Sequence, residues 1–163
     1  MDENMISCLN GFEKLWERVE NTDELEAISD PEPENTTLMG FIRDETDTAA
    51  FYRELACHTS GRMRQTLAGA YEDESRHLRK LQVEYFLRNG DTYYVEKPAP
   101  SGTGGLAAKL REAYNGEKSA AAGYMAAASR TRDERLRELY AEFSKEELGH
   151  AAMDRSLIEN MFR

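Results

Sequence analysis

At 163 residues the chain fits one domain, with a core large enough to stand without disulfide or metal staples. Its 21 basic residues against 31 acidic ones, a formal charge of -10, disfavour nucleic acid and anionic membrane surfaces as partners. No stretch approaches the roughly 18 apolar residues of a membrane span, and the start "MDENMISCLNGFEKLW" lacks a basic n-region, so a cytoplasmic protein is expected.

Strand signals are nearly absent, and helical periods broken at Gly, Pro and Asn clusters predict an all-α fold. Residues 1–36 read as an N-terminal helical arm in which Ile6, Leu9, Phe12, Leu15, Trp16 and Val19 form one stripe. So much apolar surface is expected to be buried against the rest of the chain or a second subunit. The prolines and acids of "NTDELEAISDPEPENTT" are expected to stop that helix before the bundle of residues 37–163 begins.

The first bundle helix is predicted over Thr37–Cys57, with Phe41, Glu45, Ala49, Tyr52 and Ala56 on one side, and "HTSG" supplies the turn. The second, Gly61–Arg88, steps through Met63, Leu67, Ala70, Glu74, His77 and Leu81, a bundle seam with two polar positions. "NGDTYYVEKPAPSGTGG" is too rich in Gly and Pro for a helix and long enough to span about 50 Å, the reach of a crossover connection. The third helix, Leu106–Ser129, carries Leu106, Leu110, Ala113, Glu117, Ala120 and Tyr124 on its stripe. The fourth, Asp133–Phe162, carries Leu136, Tyr140, Phe143, Glu147, His150 and Leu157.

The halves repeat. Glu117 and Tyr124 follow Glu45 and Tyr52 by 72 residues, while Glu147 and His150 follow Glu74 and His77 by 73, which one extra residue in the second hairpin turn would explain. "RMRQTLAGAYEDESRH" aligns without gaps on "RLRELYAEFSKEELGH", both closing on Glu-x-x-His. Residues three apart on a helix differ by about 60° in direction, so Glu and His at that spacing can close on one ion. A single Glu-x-x-His arises by chance roughly one time in seven in so acidic a chain and says little. Two in the same register, each preceded by a Glu and a Tyr, point to a dinuclear site of Glu45, Glu74, His77, Glu117, Glu147 and His150.

Four carboxylates balance the charge of two divalent ions, whereas left unpaired in a core they would repel one another. Oxygen-rich ligation with one imidazole per ion suits two iron ions, or manganese, better than tetrahedral zinc, and Cys8 and Cys57 form no thiolate site. Tyr52 and Tyr124 are read either as core aromatics or as hydroxyls turned toward the carboxylates. Asp154 either orients His150 or is solvated, and His58 sits at a solvated helix end. Asp44, Asp47, Asp73, Glu112 and Glu146 flank the ligands and are expected in solvent.

At these residues the sequence resembles the ferritin-like diiron-carboxylate superfamily, with Glu on helices one and three and Glu-x-x-His on helices two and four. With "GEKSAAAGY" after "LREAYN", it is most similar to the diiron domain of rubrerythrins, over about residues 37 to 162. The resemblance implies a four-helix bundle of two hairpins joined by a long crossover and reduction of hydrogen peroxide or dioxygen at a carboxylate-bridged pair, beside which Tyr52 and Tyr124 are the candidate catalytic residues. It also implies a separate electron donor such as rubredoxin, since the chain has no cysteines for a rubredoxin-like iron of its own. Ala120 stands where rubrerythrins commonly carry a further glutamate, which removes the residue of the redox-linked ligand exchange. Ferritin-type iron oxidation and storage, or a non-enzymatic bundle stapled by metal, are the alternatives. With no added C-terminal helix to line a shell axis after "LIENMFR", a homodimer is the expected assembly.

Overall fold

The computed structural model describes residues 31–96, 98 and 104–163, with side chains from Glu34 onward. The apolar stripe from Ile6 to Val19, and Cys8, lie outside the described residues. The chain divides between Pro33 and Glu34, and the second unit carries everything that follows.

Among the described residues the fold is all-helical, with four α-helices and no strand: α1 Pro31–Cys57, α2 Gly61–Asn89, α3 Leu106–Arg130 and α4 Glu134–Met161. None of these helices is long and apolar enough to cross a membrane. Helix α1 starts six residues before the expected Thr37. The first turn of a helix has no backbone N–H bonds to lose, so Pro31 and Pro33 sit there without cost instead of stopping the chain.

Each hairpin turn has three residues, 58–60 and 131–133. The extra residue of the second hairpin therefore belongs to the end of α3, which runs to Arg130, and not to the turn. Gly61 opens α2 at φ +59°, and Gly90 closes it at φ +66° with its N–H on the Phe86 carbonyl at 2.8 Å. The Asp133 carboxylate caps α4 by accepting from the Leu136 N–H at 3.1 Å. The crossover leaves Gly90 with Tyr93 and Val95 packed on the core, and the Tyr93 hydroxyl accepts from Arg43 at 3.1 Å.

Two apolar layers form the core. One gathers Leu38, Ile42, Leu81, Tyr124, Leu136, Tyr140 and Phe143, and the other Tyr52, Leu55, Leu67, Leu110, Ala113 and Leu157. On every helix the residues between the two layers include a buried charged group: Glu45 on α1, Glu74 and His77 on α2, Glu117 on α3, Glu147 and His150 on α4. A polar layer thus crosses the middle of the bundle, closed above and below by apolar side chains.

Candidate metal centre

The six residues singled out from the repeat meet in that layer. Glu45, Glu74, His77 and Glu147 each offer one ligand atom within 4.8 Å of the others, and so do Glu74, Glu117, Glu147 and His150. Glu74 and Glu147 belong to both groups, Glu45 and Glu117 to one each.

Both imidazoles turn Nδ1 inward. His77 Nδ1 lies 3.0 Å from Glu147, 3.3 Å from Glu74 and 3.7 Å from Glu45. His150 Nδ1 lies 2.7 Å from Glu74 and 3.1 Å from Glu147. Yet His77 Nδ1, Glu45 Oε2, Glu74 Oε1 and Glu147 Oε1 are buried without a hydrogen-bond partner. One ring nitrogen carries at most one hydrogen and cannot serve three converging carboxylates. Within these clusters only His150 Nδ1 is hydrogen-bonded inward, to Glu147 Oε2, and the four unpartnered atoms fit cations placed among them, so the clusters could hold metal ions.

The outward nitrogens have their own partners. His77 Nε2 is 2.5 Å from Glu146 Oε2, and His150 Nε2 is 3.5 Å from Asp73 Oδ2. Each imidazole of one hairpin is thus met by an acid of the other, which fixes the ring with Nδ1 toward the carboxylates. Asp73 and Glu146, expected in solvent, are corrected here: helical angle alone aimed them away from their own ligands, but they reach across to the other hairpin's histidine. The sequence did carry a signal, since both motifs read acid-Glu-x-x-His. Asp44 and Glu112 are exposed as expected, Asp47 is half-buried, and His58 is exposed with Nδ1 on the Glu54 carbonyl. Cys57 is a free, exposed thiol.

The tyrosines cross between halves as well. Tyr124 donates to Glu45 and Tyr52 to Glu117, the latter at 2.6 Å. Tyr52 is also 2.9 Å from Asp154, which is fully buried. Asp154 is therefore neither solvated nor bonded to His150, and the repeat places Leu81, also fully buried, at its equivalent position.

Without metal, charge is balanced by protons. Burial, and then the neighbouring Glu74 and Glu147, push Glu117 up to about 10, and burial pushes Glu45 well above the carboxylate range. Burial opposes ionisation of Glu147 too, but the two imidazoles outweigh it and draw it down to about 2, and Glu74 moves in the same direction. Burial disfavours charge on the histidines, but the carboxylates around them outweigh it, raising His150 to about 11 and His77 further. The metal-free layer therefore holds two imidazolium charges against Glu74 and Glu147.

No protein-family model and no curated protein matches the chain. The fold is similar to that of a conserved hypothetical protein from Mycobacterium tuberculosis solved by crystallography, with a TM-score of 0.69 at 16% identity over 79% of this chain and 99% of that one. A likeness at that identity speaks for the fold alone.

Proposed function

We propose that the chain is a ferritin-like, rubrerythrin-type oxidoreductase that reduces hydrogen peroxide or dioxygen at a pair of iron ions, with manganese the other candidate metal. One observation carries the reading: two donor groups that share Glu74 and Glu147, each with a single imidazole, buried between apolar layers. Glu45 would help hold one ion with His77 and Glu117 the other with His150, and Glu74 and Glu147 are placed to serve both. When bound, an iron pair supplies one electron per ion to the oxidant, and a separate donor such as a rubredoxin restores them.

The chain's own residues supply position and protons. Glu146 and Asp73 hold the imidazoles with Nδ1 inward. Tyr124 and Tyr52 donate to Glu45 and Glu117, so each non-bridging carboxylate is oriented by a hydroxyl and has hydrogen within one bond of the reacting space. The apolar layers keep bulk water from the ions. We take the protein to be cytoplasmic and a homodimer.

Protein purified without chelator is expected to hold two metal ions per chain. Glu74→Ala, which removes a shared ligand, should cost both, and Glu117→Ala one. Mixing the anaerobically reduced protein with peroxide should produce a ferric charge-transfer band within the two-ion stoichiometry. Full metal content in Glu74→Ala would sink the site, and uptake of hundreds of irons by a large hollow particle would replace the enzyme with a store.

A further inference from the structure

We infer that divalent cations reach and leave the centre along one edge only, the His150 edge, so that the ion held by Glu74, Glu117, Glu147 and His150 exchanges faster than its neighbour. The inference rests on the metal-binding reading above and concerns how that site is filled. The duplication supplies an internal comparison, because each half shows what the other could have been.

In the first half the residue just before His77 is Arg76. Its Nη1 lies 2.5 Å from Asp73 Oδ1 and its Nη2 3.1 Å from Glu146 Oε2, the same oxygen that meets His77 Nε2 at 2.5 Å. His77 is thereby sealed beneath a guanidinium and a carboxylate, and its side chain has no exposure at all. For His77 to swing aside, it would have to break a short charge-assisted contact and displace Arg76.

The repeat puts Gly149 at the position of Arg76. It is exposed, and a Cβ built there would meet nothing within 4 Å, so this position puts no guanidinium over His150 and leaves room for one. His150 is correspondingly looser. Its outward nitrogen is 3.5 Å from Asp73, whose other oxygen is held by Arg76, and its side chain is 11% exposed. One imidazole of the two therefore has contact with solvent, and on its outward side a rotation would break one long contact, where His77 would break a short one and displace Arg76. Asp73, with 40% of its side chain exposed, gives an approaching cation its first carboxylate.

The repeat also writes the test. Protein loaded with cobalt(II), followed by its visible absorption, is mixed with excess EDTA in a stopped-flow instrument. Two phases of equal amplitude are expected. Gly149→Arg, which copies Arg76 into the open edge and suits a helix better than glycine, should slow the fast phase at least tenfold while two ions still bind. Arg76→Gly should speed the slow phase by a similar factor, and it decides the matter alone if Gly149→Arg does not fold. A single rate for both ions in the unaltered protein, or both variants leaving the phases as they are, would overturn the one-edge route while the metal site stands. Failure of the unaltered protein to bind cobalt, zinc or iron would overturn the site and the route together.

Discussion

Tyr52 has one hydroxyl hydrogen and two carboxylate neighbours, Glu117 at 2.6 Å and Asp154 at 2.9 Å. Burial pushes Asp154 up to about 7, so near neutrality it can hold the second hydrogen that the three-group chain needs. Tyr52→Phe removes the one side-chain hydrogen bond that Asp154 makes among the described residues and is expected to destabilise the metal-free protein by about 1–3 kcal/mol. Asp154→Leu copies Leu81 from the other half and removes the stranded group, so the double variant should cost less than the two single costs added, as urea unfolding would show. Purely additive costs would contradict this account. The six clustered residues were legible because the Glu-x-x-His spacing occurs twice on apolar stripes. Asp154 was not, and Asp73 and Glu146 left only the acid repeated before each Glu-x-x-His, because their partners lie on other helices, and spacing along one helix cannot report what faces it from the next.

Helix α3 comes close to α4 by means of small residues. Ala121, Ala127 and Ala128 are buried, and Ser144 donates to the Ala121 carbonyl at 2.8 Å, so a serine side chain bridges to the opposing backbone. Ala121 stands four residues after Glu117, as the equally buried Ala49 stands four after Glu45, which keeps the space beside each carboxylate narrow but free of bulk. Ala121→Leu should overpack this contact and cost about 1–3 kcal/mol, whereas Ala122→Leu on the exposed face should stay within about 0.5 kcal/mol by the same unfolding measurement. The four helices and their order could be read from periodicity, and the alanine run already signalled close approach. The start of α1 could not, since Pro31 and Pro33 look like breakers until their place in the first turn is known.

Over the whole molecule, the proton inventory of the polar layer sets how stability depends on pH. An unfolded Glu117 loses its proton near 4.5, while the folded one keeps it to about 10, and Glu45 shifts in the same direction. The unfolded chain therefore binds fewer protons in this window, and His150, raised from 6.5 to about 11, extends the same sign above pH 6.5. Glu147, lowered from 4.5 to about 2, has the opposite sign but acts below pH 4.5. The metal-free protein should thus lose stability from pH 5 to 8, by at least about 1.4 kcal/mol per pH unit for one proton. Thermal melts would show this, and a rise in stability over that range would contradict four buried glutamates. If two divalent ions bind as proposed they replace these protons, and calorimetry at pH 7 in buffers of different ionisation enthalpy should report release of up to about four of them. The bonds that assemble the layer run between hairpins: Tyr52 to Glu117, Tyr124 to Glu45, Glu146 to His77 and Asp73 to His150. A hairpin folded on its own would keep the His–Glu contacts of its own motif but lack the partners of its tyrosine, of its first-helix carboxylate and of its outward imidazole nitrogen, so a half-formed bundle is a poor resting point. Ancestry leaves the same mark: before the duplication, a single hairpin could have completed this layer by pairing with its own twin.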